Sequence, residues 1–251
     1  KRWYWELNAS FNPLAFNPQQ WADVMDDAGM KYMIFTTKHH DGFCMYDSKY
    51  TDFSTAHAPL YEGNPKSDVA KHVFNAFREK NFWIGCYYSK PDWHSQWFWN
   101  DYYATSGRGR NYKLDSDEHK QWWENYRQFC KNQLTELTEN YGKFDILWLD
   151  GGWVRPEWSI NEEIRTWLGC QGYVQDIDMP KIAKMARQNI PDLLIVDRSV
   201  GGKYENYTTP EQQVPDTYLP NPWETCMSMG DSWSYVPNDN YKSTKQLIHT
   251  L

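Results

Sequence analysis

The sequence predicts an α/β protein with a parallel sheet, of the (β/α)8 TIM-like barrel class, and three observations support that prediction. Amphipathic helical stretches alternate with short, continuous apolar runs along the chain. Connections from a helix to the next strand are short, as from Gly29 to Tyr32 and from Asn81 to Trp83, whereas the segments that come after strands are long and polar. Histidines, carboxylates and an arginine mass at the C-terminal ends of those strands, the face on which barrel enzymes keep their chemistry. No Gly-rich fingerprint follows any strand, which argues against a dinucleotide fold. The 251 residues suit a single domain spanning 1–251, without linker, repeat or low-complexity segment. Four or five strands are clear, fewer than a complete barrel needs.

In order, Trp3 to Pro18 is aromatic, Asn-rich and punctuated by proline, and reads as a loop. Asn17 and Pro18 then open a helix whose stripe is Trp21, Val24, Met25 and Ala28, ended by Gly29. Tyr32 to Thr37 is a strand running into Lys38-His39-His40-Asp41-Gly42-Phe43. Asp68 to Lys80 is a helix with Val69, Val73, Ala76 and Phe77 on one face, followed by the strand Trp83 to Tyr88 and the tip Ser89-Lys90-Pro91-Asp92-Trp93-His94. Asp117 to Tyr141 is a long helix with Trp122, Tyr126, Phe129, Gln133 and Leu137 near helical spacing. Ile146 to Leu149 is a strand, stopped by Asp150 and turned by Gly151-Gly152. Trp153 to Met179 reads as irregular. Pro180 to Gln188 is a helix and Leu193 to Val196 a strand ending in Asp197-Arg198. A long loop, a short strand over Trp223 to Met227 and a helix beginning at Ser243 complete the chain.

Net charge of −7 without a basic run excludes nucleic acid as the expected partner. No apolar stretch approaches the roughly 18 residues that span a bilayer. The five cysteines show no C-x-x-C pair, so neither a disulfide framework nor a zinc spacing is legible, and no metal or cofactor is expected. The unusual feature is 15 Trp and 18 Tyr in a chain of mean hydropathy −0.86. Rings with one apolar face and a polar edge suit sugar surfaces, although packing between barrel and helices must absorb many of them.

Asp150 is the first candidate for chemistry. A carboxylate at the tip of a buried strand sits on the reactive face of a barrel, and the competing reading is a helix N-cap. Trp148 shares its strand face. The His39-His40 pair ends another strand and can donate and accept hydrogen bonds to hydroxyls. Arg198, at the end of another strand, offers a fixed positive charge, either to bind a sugar hydroxyl or to lower the pKa of a neighbouring carboxylate. Glycoside hydrolysis would need a second carboxyl group, and the late loops offer Glu205, Glu211 and Glu224. Pro210 restricts the loop before Glu211.

The run Phe35-Thr36-Thr37-Lys38-His39-His40-Asp41-Gly42-Phe43 resembles the hallmark of the α-L-fucosidases of glycoside hydrolase family 29. So do Phe16-Asn17-Pro18-Gln19-Gln20-Trp21-Ala22, Tyr87-Tyr88-Ser89, Trp148-Leu149-Asp150-Gly151, Val196-Asp197-Arg198 and the stretch Tyr204 to Gln212. They occur in the family's order and cover nearly the whole chain. The resemblance implies a retaining exo-α-L-fucosidase acting without a cofactor on a fucosylated oligosaccharide or glycoconjugate. It implies Asp150 as nucleophile, His39 and His40 as ligands of fucose hydroxyls, and Tyr88, Trp148 and Arg198 as sugar-pocket positions. Tyr46 falls where the family often places a tryptophan bordering the sugar. The acid/base is assigned to Glu211, with Glu205 and Glu224 as alternatives. The family's opening F-x-x-H-W-G-like run does not precede Trp3, and its closing G-N-x-L-L-N-x-G-like strand does not follow Leu251. A barrel incomplete at both ends, from a longer chain, is therefore expected. The competing expectations are a degenerate fucose-binding barrel and an enzyme for a related sugar such as an L-galactoside. Secreted, periplasmic or lysosomal compartments are those the resemblance favours.

Overall fold

Four apolar runs become strands and pair side by side in chain order: β1 (Tyr32–Lys38), β2 (Trp83–Ser89), β3 (Ile146–Asp150) and β4 (Leu194–Asp197). The structure, a computed structural model, describes residues 2–103, 109–168 and 174–250. Cys170 lies outside these. All three strand pairings are parallel, and the register sets Tyr87 opposite Trp148 and Ser89 opposite Asp150. Among the described residues the sheet has four strands and stays open, so the observed architecture is α/β with a parallel sheet.

Alternation along each strand separates two faces. Phe35, Ile84, Cys86, Leu147, Leu149 and Ile195 join the main core with the helices. Helix α3 (Val69–Glu79) contributes Val73, Phe74 and Phe77, α4 (Asp117–Asn140) contributes Tyr126, Leu134 and Leu137, and α6 (Met179–Asn189) contributes Ile182 and Ala186. On the opposite face Ile146, Trp148 and Val196 cluster with Tyr207, Ile34 and Tyr87. That second face carries the cavity described below.

Helix starts follow their capping residues. The side chains of Asn17, Asp68, Ser116 and Asp178 each accept a bond from a backbone N–H three residues on, satisfying an otherwise orphaned donor. The helix over Pro18–Asp27, α2, is where sequence and structure differ most in facing. Trp21, Val24 and Ala28 of the expected stripe are exposed, Met25 packs partly buried against the core, and the buried residues are Pro18 and Ala22. The small Ala22 lets α2 lie close, while Trp21 folds its edge onto Phe16.

Three segments depart from the sequence reading. The expected loop before Pro18 holds a short helix α1 (Arg2–Trp5) and a 3-10 turn over Glu6–Ser10. The excursion after Trp153 contains α5 (Glu162–Leu168), with two glutamates in its first turn where the helix dipole favours them. The expected strand over Trp223 to Met227 is absent. Only single bridges form there, Thr208 to Trp223 and Glu211 to Cys226, enough to dock two loops against each other. The last helix, α7, runs Thr244–Thr250. Among the described residues no helix is long and apolar enough to cross a membrane.

Candidate active site

A cavity of about 620 Å³ opens at the C-terminal ends of the strands. Ile34 and Thr36 of β1, Tyr87 of β2, and Trp148 and Asp150 of β3 line its sheet side. Arg198 enters from the tip of β4, and Glu211 and Glu224 from the late loops. The sheet register therefore determines which side chains meet: Tyr87 stacks on Trp148 at 5.2 Å between centroids, and on its other side lies parallel to His39 at 5.8 Å.

Asp150 is 6% exposed and surrounded by donors. Its Oδ1 accepts from Arg198 Nη1 at 2.9 Å and from the Gly151 amide at 2.7 Å, and its Oδ2 accepts from the Tyr87 hydroxyl at 2.5 Å. Burial alone would raise the carboxyl. The Tyr87 hydroxyl, the Arg198 charge and His40 together outweigh it and hold Asp150 below the ordinary carboxylate range. Burial and the neighbouring Asp150 push Tyr87 upward, so its proton stays on the bond to Asp150. Gly151 has φ of +95°, and a Cβ there would lie 2.3 Å from Pro91 Cδ. The tight turn that presents Asp150 thus requires glycine.

Arg198 joins two carboxylates. Nη1 pairs with Asp150, Nη2 with Glu211, and the guanidinium lies over Trp148 at 5.4 Å. Its backbone amide donates to the Leu149 carbonyl at 3.1 Å, which ties the tip of β4 to that of β3.

His40 Nε2 faces Asp150 Oδ2 at 3.7 Å. Its Nδ1 lies 2.7 Å from Ser89 Oγ, whose own proton goes to the Pro91 carbonyl, so Nδ1 is the donor in that pair. Trp153 and Trp93 set their edges against the His40 ring at 5.0 and 5.5 Å. His39, His40 and Asp150 each offer a ligand atom within 4.8 Å of the others, the one such grouping among the described residues. Both oxygens of Asp150 are already taken by Arg198, Gly151 and Tyr87, so a cation there would compete with a guanidinium. That donor set suits hydroxyl groups better than a metal.

The structure thus brings Asp150, Glu211, His39, His40, Trp148 and Arg198 to one cavity. It places Tyr88 and Tyr46 elsewhere. Tyr88 is fully buried on the helix side, where its hydroxyl donates to Gln133 Oε1 of α4 at 2.8 Å. Adjacent strand residues point to opposite faces, and Tyr87 takes the cavity side. Tyr46 is fully buried against Tyr141 in the main core. Glu224 lines the cavity, yet accepts from Tyr32, Trp148 and Tyr207, so it acts as an acceptor that fixes the indole of Trp148. Beyond the expected residues, the rings of Tyr87, Trp93, Trp153 and Trp233 line the cavity, together with Ile34, Thr36 and Cys226. For Tyr87 a signal existed: it lies in phase with Trp148 once the register is known.

Glu205 is not among the residues lining the cavity. It lies near Asp197, whose Oδ1 binds buried Lys90 Nζ at 2.6 Å. Burial first, then the Asp197 charge, push the Glu205 carboxyl up to about 7, against the pull of the Gly201 amide and Lys90. A raised carboxyl binds its proton more tightly folded than unfolded, so stability is intact below the unfolded pKa near 4.3 and falls as pH rises through about 7. Glu205→Gln is therefore expected to match the wild type in Tm at pH 4.5 and to exceed it at pH 8. The gain, discounted because the group is partly exposed, is roughly 1 kcal/mol, or about 2–4 °C. Thermal melts at the two pH values check it, and equal gains at both would contradict it.

Comparisons with known proteins give consistent results. A profile of the alpha-L-fucosidase family matches residues 1–251. The chain is 29% identical over 262 residues to the plasma alpha-L-fucosidase of Homo sapiens, covering 99% of this chain and 48% of that protein. It is 31% identical over 158 residues to alpha-L-fucosidase 1 of Arabidopsis thaliana, covering 63% of this chain and 26% of that protein. Among solved structures, alpha-L-fucosidase isoenzyme 1 from Paenibacillus thiaminolyticus matches with a TM-score of 0.73 at 31% identity, over 95% of this chain and 55% of that one. The chain spans about half the length of the curated relatives it matches end to end.

Proposed function

The chain belongs to the alpha-L-fucosidase family, and from that premise we propose that it is the catalytic part of a retaining exo-α-L-fucosidase that removes terminal fucose from glycans. The observation that supports this most directly is the pairing of Asp150 and Glu211 with one guanidinium, that of Arg198, in a cavity floored by aromatic rings. Double displacement needs two carboxyl groups close across an anomeric carbon, roughly 5–5.5 Å apart.

In this reading Asp150 attacks the anomeric carbon while Glu211 gives its proton to the leaving oxygen. Water, deprotonated by the same Glu211, then releases fucose. The donors around Asp150 keep it ionised for attack, as a nucleophile requires. Glu211 reaches the cavity paired with Arg198, the guanidinium that also holds Asp150. A sugar entering between the two carboxylates exchanges part of that contact for one to the leaving oxygen. His39 and His40 bind ring hydroxyls, and the rings of Tyr87, Trp148 and Trp153 take the C–H faces and the C6 methyl. The open sheet is an arc of a (β/α)8 barrel: strand order follows chain order, helices pack on one face, and the site lies at the strand ends.

The test is the stereochemistry of the first product. Proton NMR of an aryl α-L-fucoside digest is expected to show the α-anomer of fucose first, with the β-anomer appearing only at the rate of mutarotation. First appearance of the β-anomer would reject double displacement. Calorimetric binding of fucose with no aryl release would instead indicate a sugar-binding barrel without turnover.

A further inference from the structure

Away from the cavity, and unused by the reaction proposed above, lies a buried ammonium. Lys38 ends β1 and is wholly buried. Its Nζ donates to Asp92 Oδ2 at 3.0 Å, to the Tyr88 hydroxyl at 2.9 Å and to Gln133 Oε1 of α4 at 3.1 Å, so all three protons are used. Asp92 is 2% exposed, and its other oxygen accepts from the amides of His94 and Ser95, both at 2.9 Å. A buried ion pair is weak evidence of stabilisation, because desolvating both charges offsets most of their attraction. Its value lies in what it holds in place.

Asp92 is wedged against the turn that comes after the two histidines. Gly42 there has φ of +87°, and a Cβ on it would lie 2.3 Å from Asp92 Oδ1. The next residue, Trp93, donates its amide to the His40 carbonyl at 2.8 Å and sets its ring edge against the imidazole. Lys38 therefore fastens three segments at one point: the tip of β1, the loop after β2 and the middle of α4. Two of them present His40 and Trp93 to the cavity.

We propose that the Lys38–Asp92 pair is a positioning device that sets the imidazole of His40 and the indole of Trp93 for the sugar. Its catalytic consequence rests on the fucosidase reading. Lys38→Met keeps chain length and removes the charge, leaving Asp92 buried without its cation. A displacement of the order of 1 Å at His40 is expected to lower kcat/KM on an aryl α-L-fucoside about 100-fold. The long-range ¹H–¹⁵N signals of the His40 ring, and their titration midpoint, are expected to move in Lys38→Met and in Asp92→Asn. In the double variant Lys38→Met/Asp92→Asn no buried charge is left unpaired, so Tm recovers toward the wild type. Activity and the His40 signals are expected to stay displaced, because the anchor is still missing. A pair that served only stability would return activity along with Tm.

The proposal is overturned if the folded variants keep wild-type His40 signals and a kcat/KM within about threefold of the wild type. It is equally overturned if the double variant regains both Tm and activity. Should Lys38→Met fail to fold, Asp92→Asn and the double variant supply the same readings. A wild type that releases no fucose would refute the fucosidase reading, while the His40 signals would still decide the positioning.

Discussion

Asp150→Ala is expected to reduce release of an aryl α-L-fucoside by a factor on the order of 10⁴ or more, the scale seen when a covalent nucleophile is removed. Arg198, Tyr87 and His40 all aim at this carboxylate, and nothing else on β3 can replace it. Alanine leaves a space at the floor of the cavity while Glu211 remains to assist the leaving group. Added azide is expected to enter that space, attack the anomeric carbon directly and give β-L-fucosyl azide, inverted relative to the substrate. Product configuration by NMR is the measurement. Turnover by Asp150→Ala close to that of the wild type would remove Asp150 from the reaction.

The strands were legible because each is a short apolar run whose neighbours in sequence are turn or cap residues. Burial on both faces favours such runs, and parallel pairing provides it. Ile146 to Leu149 is the clearest case, with all five residues of β3 buried. Phase was less legible. Tyr87 and Tyr88 are chemically alike and adjacent, and only pairing with Trp148 shows which one faces the cavity. The same limit applies to α2, where a stripe of large apolar residues suggested the buried face, yet contact is made through Ala22 and, of that stripe, Met25.

The late loops were the least legible part. Glu205, Glu211 and Glu224 are indistinguishable by residue type, and their differences arise from tertiary contacts many residues away. Glu205 meets Asp197, Glu211 meets Arg198, and Glu224 meets Tyr32 across the whole sheet. Local propensity holds no record of such contacts. What the sequence did disclose was chemistry at strand ends: Asp150, Arg198 and the two histidines come directly after apolar runs, and a parallel sheet necessarily brings those ends together.

Glu211→Ala is expected to separate the two chemical steps. With a poor leaving group, such as a sugar hydroxyl in a natural glycan, the first step loses its proton donor and the rate falls about 10²–10⁴-fold. With a dinitrophenyl leaving group no proton is needed, so the first step stays fast and the fucosyl-enzyme accumulates, visible as a burst of phenolate. Azide then intercepts that intermediate. Because Asp150 has already inverted the centre once, the product is α-L-fucosyl azide, opposite in configuration to the product from Asp150→Ala. Glu224→Gln provides the contrast. It disturbs the bonds from Trp148, Tyr32 and Tyr207, so it should slow good and poor leaving groups alike and yield no azide adduct. If α-azide forms with the Glu224 variant and not with Glu211→Ala, the proton donor is Glu224. The carboxylate held by Arg198 would then serve only to orient that guanidinium over Trp148.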